Sequence, residues 1–475
     1  MSAGAATGRP GSPAGEAAPP APREVWGHPI GLGVLAGTEL WDRISFHGMQ
    51  AMLVLYMVER LLLPGHIEHV AGFAGFRAAI EAVTGPLSTQ ALASQIFGLY
   101  IGLVYLTPVL GGLLGDRLLG RRRAVALGAL LMTAGHFCMA FERSFLAALL
   151  LLILGAGCLR GNLASQLGDL YARTDPRRDT AFQIYYAMLN TGAFVAPLIS
   201  GALGQAYGWD VAFGFAGVGM LLGLILYLAG QHFLPRDGAH PDEPAPAALD
   251  PAQRRVVRSL LLLLPSAVLF WIAQSQIWNT YNVWARDHVD LVVGGWHMPV
   301  PWLQAVDALG VVVLMPLVLA FWRRQAARAR EPDAFAKLGL GCLLFGAAVA
   351  WLACGDLVAD AAGKVPLAWA LAYHFLSAIG YLYWAPSIVA LFSCTAPRAV
   401  NAMMIGVYFL AIFAGSTLGG RLGALYETLS PLQFWLLHAA LCAGGGLLVF
   451  VLAPRLRSDL APGPGETAPA PVPAA

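Results

Sequence analysis

Glu39, Asp42 and Arg43 stand within about one helical turn of each other in TELWDRISFHGMQ (residues 38–50), between the apolar runs GLGVLAG and AMLVLYMV. Residues three and four apart share a helix face, so these charges form one polar stripe, which Phe46 and His47 extend by a turn. Two acids sharing one guanidinium are not both fully compensated, and one of them is then able to take a proton. His47 adds a group that titrates near neutrality. A second cation, Arg160 in LGAGCLRGNLASQLGDLY, brings the set Glu39, Asp42, Arg43 and Arg160 into charge balance. Two readings are open: ion pairs that lock one helix to another, or a cavity-facing cluster that responds to protons or holds an anion.

The elements that carry these charges are apolar. The chain of 475 residues is 58% hydrophobic and only 12% charged, with a mean hydropathy of +0.64. A soluble domain carries about 25% charged residues. The composition is that of a polytopic membrane protein. A central charge in a membrane helix costs about 2.5–3.5 kcal/mol, so three cost about 8–10 kcal/mol unless they pair or face water. The stripe must therefore point inward.

Apolar stretches near the bilayer-crossing length of about 20 residues fall near 31–59, 93–115, 122–141, 145–170, 180–206 and 211–234. A second set falls near 258–285, 302–322, 335–354, 366–394, 400–425 and 432–453. Between them LPRDGAHPDEPAPAALDPAQRR, rich in Pro, Ala and charge, reads as an exposed linker. The expected organisation is a disordered tail over 1–29, a six-helix bundle over 30–234, a cytoplasmic linker over 235–257, a second bundle over 258–454 and a disordered tail over 455–475. Segment 65–90 reads as a longer outer loop, in which His66 and His69 are solvated and hold no metal.

Lys and Arg are retained on the cytoplasmic side. With both termini inside, the inner segments hold Arg117, Arg121, Arg122, Arg123, Arg177, Arg178, Arg254, Arg255, Arg323, Arg324, Arg455 and Arg457, whereas the outer loops hold Arg77, Arg143, Arg286, Lys364 and little else. Topology thus explains the net charge of +2, which points to no nucleic-acid partner. The cysteines show neither CxxC nor ligand-like spacing and read as small packing residues. HExxH, GxSxG and P-loop spacings are missing, so the sequence offers no catalytic chemistry and implies no enzyme.

In the second half Asp307, in WLQAVDALGVVVLMP, is either a helix-start acid near the outer interface or a carboxylate facing the cavity. Gln274, Gln276, Asn279 and Asn282 recur as a hydrogen-bonding face. Tyr373, Tyr381, Tyr383 and Trp384 belong either to packing or to the cavity wall.

GGLLGDRLLGRRR, with Gly112, Asp116, Arg117, Gly120 and Arg121, resembles the cytoplasmic loop signature of the major facilitator superfamily. Its glycines allow a tight turn with close helix approach, and its Asp and Arg can pair across a gate that breaks on rocking. The surrounding residues, from IFGLYIGLVYL to ALLMTAGHF, together with FQIYYAMLNTGAFVAPLISG, are similar to the proton-coupled oligopeptide transporters within that superfamily. TELWDRISFHG looks like that family's first-helix motif, E-x-x-E-R followed by two tyrosines and Gly. The likeness runs from about residue 36 to 450.

The resemblance implies an all-α membrane protein of the major facilitator superfamily fold: two six-helix bundles, 12 transmembrane helices, both termini cytoplasmic. It assigns proton coupling to Glu39, Asp42 and Arg43; His47, if it faces the cavity, is by its own chemistry an extra proton site. The resemblance assigns substrate binding to Arg43, Tyr105, Arg160, Asn162, Asn190 and Gln276, to which the reading of the residues themselves adds Phe46, Asp307, Tyr381 and Trp384. A small peptide or zwitterion would be carried by a monomer in the bacterial inner membrane, on a proton gradient and without a cofactor. The sequence departs from the family at informative places. The second Glu of the first helix is Asp42, the two tyrosines are Phe46 and His47, and the fourth-helix Lys is Arg160, which cannot release its proton at physiological pH. Ser275 stands for a seventh-helix acid and Tyr381 for the tenth-helix Glu that clamps a peptide's amino end, while Asp307 stands for an Asn. Asp307 is therefore expected to replace that Glu, with the Tyr381 hydroxyl nearby. The same fold carrying an organic anion, a modified amino acid or an exported metabolite is the alternative.

Overall fold

The computed structural model describes residues 24–172, 174–235, 237 and 249–460. A short pairing of β1 (Glu24–Val25) with β2 (His28–Pro29) leads into α1 (Ile30–Tyr56). There follow α2 (Phe73–Thr84), α3 (Thr89–Leu114), α4 (Arg121–Met139), α5 (Phe145–Asp169), α6 (Arg177–Tyr207) and α7 (Trp209–Gly230). The second half holds α8 (Pro251–Leu261), α9 (Leu264–Ser275), α10 (Thr280–His288), the β3–β4 pair (Val292–Val293, Trp296–His297) and α11 (Trp302–Ala326). It closes with α12 (Ala334–Ala353), α13 (Leu367–Thr395), α14 (Asn401–Gly423) and α15 (Pro431–Leu460).

Among the described residues ten helical stretches are long and apolar enough to cross a membrane, from Thr89–Leu119 to Pro431–Leu460. Large apolar side chains such as Leu110, Leu150, Ile225, Leu317 and Val451 lie exposed on their outer faces, the surface a bilayer covers. The chain is an integral, multi-pass membrane protein. The charged α1 and the shorter α4 pack into the same bundle: α1 lies on α6 and α7, and α4 on α5 and α7. In the other half α12 packs on α13 and α15, and α9 on α14 and α15.

Four expectations need adjustment. Residues 24–29 pair as strands and 455–460 continue α15, so the tails are shorter than drawn; residues 1–23 and 461–475 lie outside the described residues. The expected linker gives way to helix at Pro251, because Asp250 and Gln253 form a reciprocal capping box with Pro at the helix start. The outer loop 65–90 contains α2, delimited by Gly72 at φ 76° and Gly85 at φ 77°. His66 in that loop is not simply solvated: its Nδ1 lies 2.8 Å from Glu142 Oε1.

The seventh apolar stretch is not one helix. Pro265 in the first turn of α9 cannot donate a backbone bond, and the chain breaks just before it. It breaks again at Asn279, whose φ −110°, ψ −109° is not helical. Gln304 Nε2 of α11 donates to the Ile277 carbonyl beside the break at 2.6 Å, and Asn279 and Asn282 tie this stretch to the first half. Asn279 Nδ2 donates to Ser94 Oγ at 2.8 Å, Asn282 Nδ2 to the Ala51 carbonyl at 3.3 Å, and Gln304 Nε2 to Asn282 Oδ1 at 2.6 Å.

The halves meet mainly through α3 against α14 and α6 against α11. At the first crossing a Cβ on Gly98 would lie 2.4 Å from the Ser416 carbonyl and 2.8 Å from Gly420 Cα, so two backbones touch where no side chain fits. The ties cluster at the end of the bundle where α3 begins. There Ser94 Oγ donates to the Gly420 carbonyl at 3.1 Å, Arg421 to the Thr84 carbonyl at 2.8 Å, and Arg286 pairs with Glu59 at 3.1 Å. At the opposite end Leu118 and Tyr186 are exposed. Gly98→Val is expected to cost about 1–3 kcal/mol through overpacking of this crossing, read as a lower melting temperature in detergent. An unchanged melting temperature would show that the crossing is not close-packed.

Candidate functional site

α1 presents Glu39, Asp42 and Arg43 to the inside of the first half, as the helical spacing requires. Arg43 Nε lies 2.7 Å from Glu39 Oε1 and 3.6 Å from Asp42 Oδ2. Arg160 on α5 reaches the same Asp42 oxygen at 3.4 Å. The four charges therefore form one cluster in which Asp42 bridges two guanidinium groups. Glu39 and Asp42 are almost wholly buried, at 1% and 0% side-chain exposure, whereas Arg43 keeps 13%. Tyr185 on α6, which sequence reasoning passed over, donates its hydroxyl to Glu39 Oε2 at 2.6 Å. His136 on α4 is also fully buried within electrostatic reach of Asp42 and Arg160. Neither stood out, because each is a lone polar residue whose partner is distant in sequence.

A cavity of about 320 Å³ opens beside this cluster, between the halves. Its walls come from α1, α3 and α6 on one side and from α9, α11, α12 and α13 on the other. Of the sequence-derived candidates it brings together Arg43, His47, Tyr105, Asn190, Asp307 and Tyr381. Arg43 supplies the fixed positive charge of the wall and Asp307 the negative one. They stand on opposite halves. Trp271 and Trp278, not chosen from the sequence, add aromatic wall; Tyr105 faces Trp271 at 6.1 Å and His47 faces Trp278 at 5.4 Å between ring centres.

Asp307 is a cavity carboxylate, not merely a helix-start acid, and it has a neighbour that the sequence did not reveal. His374 Nδ1, on α13, lies 3.6 Å from Asp307 Oδ1. The Asn190 amide donates to the Tyr186 carbonyl at 2.9 Å, one turn back on α6.

Several candidates lie elsewhere. Glu39 and Asp42 sit behind Arg43 and do not line the cavity. Phe46 is buried with the Arg160 guanidinium 4.1 Å above its ring, and neither residue lines the cavity. Asn162 joins helices: its Nδ2 donates to the Gly111 and Cys158 carbonyls, both at 2.9 Å. Gln276 Nε2 is taken by the Gly419 carbonyl at 2.8 Å. Trp384 is fully buried and stacked on Phe270 at 4.8 Å. Each fills packing space that a linear reading could not tell from a lining position.

The loop between α3 and α4 departs in detail. Gly120 takes φ 78°, a conformation that suits glycine. The close helix approach occurs at Gly111, where a Cβ would lie 2.0 Å from the Gly157 carbonyl, and not at Gly112, which faces open space. Arg121 donates to Asp116 at 2.8 Å and to Asp169 at 2.5 Å, all within the first half. Asp116 therefore pairs inside one bundle and not across the two. Arg122 anchors the turn to the segment after α7 through the Pro235 carbonyl at 2.8 Å. Arg117 makes no hydrogen bond or ion pair among the described residues.

Comparison with known proteins gives one consistent result. The model of the POT family matches residues 122–249 and 246–434. An uncharacterized transporter of Bacillus subtilis, YclF, is 28% identical over 91% of this chain and 95% of its own length. A di-/tripeptide transporter of Lactococcus lactis subsp. cremoris is 26% identical over 90% of this chain and 96% of its own. The crystal structure of a peptide transporter in complex with alafosfalin superposes with a TM-score of 0.80 at 26% identity, covering 93% of this chain and 97% of that one.

Proposed function

The chain belongs to the POT family, and from that premise we propose that it moves di- or tripeptides, or closely related small zwitterions, across the membrane in symport with protons. The observation that carries this reading is the opposition of Arg43 and Asp307 across one cavity between the halves. A zwitterion presents a carboxylate to a guanidinium and an ammonium to a carboxylate, each a charge-assisted contact. The cavity, at about 320 Å³, lies in the range of small-molecule sites, roughly 300–1,000 Å³. The Lactococcus lactis relative, a di-/tripeptide transporter, and the structure bound to alafosfalin support the same substrate class.

Coupling follows from charge. Asp42 and Glu39 share the Arg43 guanidinium, with Arg160 as a second partner of Asp42, and a proton on either acid loosens Arg43 for a substrate carboxylate. The two bundles rock about the cavity, exposing it alternately. Twelve helices cross the bilayer: the ten apolar stretches together with α1 and α4. The arginine-rich ends face the cytoplasm, which makes the tied end outer and this conformation inward-facing. The protein works as a monomer in the bacterial inner membrane, with the proton gradient as its energy source and no cofactor.

A second reading has an observation of its own. Tyr381 and Ser275 line the cavity where the family's pattern has acids, leaving Asp307 as its single carboxylate among the described residues. A cargo other than a peptide, such as a modified amino acid or organic anion, also suits one cation facing one acid. Binding of dialanine to purified protein, followed by fluorescence of Trp271 and Trp278 in the cavity wall, separates the two. Saturable quenching that N-acetylation of the ligand weakens supports the peptide reading. No response from folded protein, with a response to single amino acids or organic anions, supports the second.

A further inference from the structure

The second half carries a buried imidazole that the cluster on α1 does not account for. His374 is fully buried on α13, its Nε2 hydrogen-bonded to Tyr281 Oη at 2.9 Å and its Nδ1 facing Asp307 Oδ1 at 3.6 Å. Nδ1 has no hydrogen-bond partner among the described residues. The Tyr281 hydroxyl can donate to a neutral ring or accept from a protonated one, so this contact suits both forms of His374. Only Asp307 of this group reaches the cavity. With a neutral imidazole the pair presents one negative charge to the cavity; with a protonated one it presents none. A substrate ammonium beside Asp307 has the same effect on the charge as a proton on His374.

We propose that Asp307 and His374 form a proton-binding pair of the second half, in which the proton on His374 and the ammonium group of the substrate compete for the Asp307 carboxylate. The inference rests on the reading of Asp307 as the partner of a cationic substrate end. It gives the second half a release trigger where Ser275 and Tyr381 stand in place of the family's acids. A proton reaching His374 draws Asp307 onto Nδ1 and frees the ammonium. Other ionisable groups around the pair are Tyr281 on α10 and Tyr373 on α13, with Cys442 of α15 facing Tyr373. Tyr381 lies within electrostatic reach of Asp307, and Arg43 and His47 stand on the cavity wall formed by α1. Arg43 is permanently charged. His47 belongs to the other half, and its contribution is separated by variants at 374.

Protein labelled with nitrogen-15 histidine, in lipid nanodiscs without ligand, tests the pair directly. The imidazole signal that disappears in His374→Gln should report proton uptake by His374 in wild type, and Asp307→Asn should alter that uptake. A His374 signal that stays neutral throughout, or that titrates identically in Asp307→Asn, overturns the proposal. If His374→Gln does not fold, His374→Asn assigns the signal. Binding of dialanine and of N-acetyl-dialanine then tests competition. Dialanine affinity should fall relative to the blocked ligand toward acid pH, by up to about tenfold per pH unit for one displaced proton, and His374→Gln should flatten that difference. Should Asp307→Asn leave dialanine affinity unchanged, the reading of Asp307 as amine partner fails. Should it weaken dialanine while His374→Gln keeps the wild-type pH profile, that reading stands and the competition fails. If dialanine does not bind, the ligand-free titration decides.

Discussion

Arg43→Ala is expected to weaken dialanine binding by roughly 10- to 100-fold, because a bidentate guanidinium–carboxylate contact contributes roughly 1.5–3 kcal/mol. Arg43 is the fixed cation of the cavity wall, and Glu39 at 2.7 Å orients its guanidinium. The substitution also leaves Glu39 with the Tyr185 hydroxyl and Asp42 with Arg160 as their remaining partners. Removing one member of a buried charge set costs about 3–5 kcal/mol of stability, so the loss of binding must be separated from loss of fold. Arg43→Lys does this: it keeps the charge but not the planar fork. A well-folded Lys variant with intermediate affinity supports a carboxylate held by the guanidinium. A Lys variant of wild-type affinity would place the substrate carboxylate elsewhere.

Asp307→Asn should have the second largest effect and the sharper chemical signature. Loss of a charge-assisted contact of about 1.5–3 kcal/mol raises the concentration of dialanine needed for half-maximal transport roughly 10- to 100-fold. N-acetyl-dialanine has no ammonium, so its transport should change little. The comparison is made within one variant, which removes any effect of expression or folding. Equal losses for both ligands would show that Asp307 supports the cavity wall without meeting the amino end.

The fold was largely legible, because apolar length is a strong signal in a membrane chain. The observed starts of α5 at Phe145, α11 at Trp302 and α15 at Pro431 fall within a residue of the expected ones. The break at Asn279 was half-legible. Gln274, Gln276, Asn279 and Asn282 announced polar contacts, but their partners Ser94, Ala51 and Gly419 belong to distant segments. The α1 cluster was visible because helical spacing fixes which of its own residues meet. Tyr185, His136 and His374 were not, since each acquires its meaning from a partner on another helix. Asn162 and Trp384 failed in the opposite sense: their residue types suit a pocket, yet the helix rotation turns them into packing.

The cluster of Glu39, Asp42, Arg43 and Arg160 is the centre of the account, and peptide-driven proton movement tests it most directly. Purified protein in liposomes loaded with a pH-sensitive dye would be given dialanine outside, with wild type and Asp42→Asn compared at equal amounts of folded protein. Acidification of the lumen that requires dialanine and vanishes in Asp42→Asn is the predicted result. Dialanine uptake without proton movement, or proton movement that Asp42→Asn leaves intact, would contradict the assignment of coupling to this cluster.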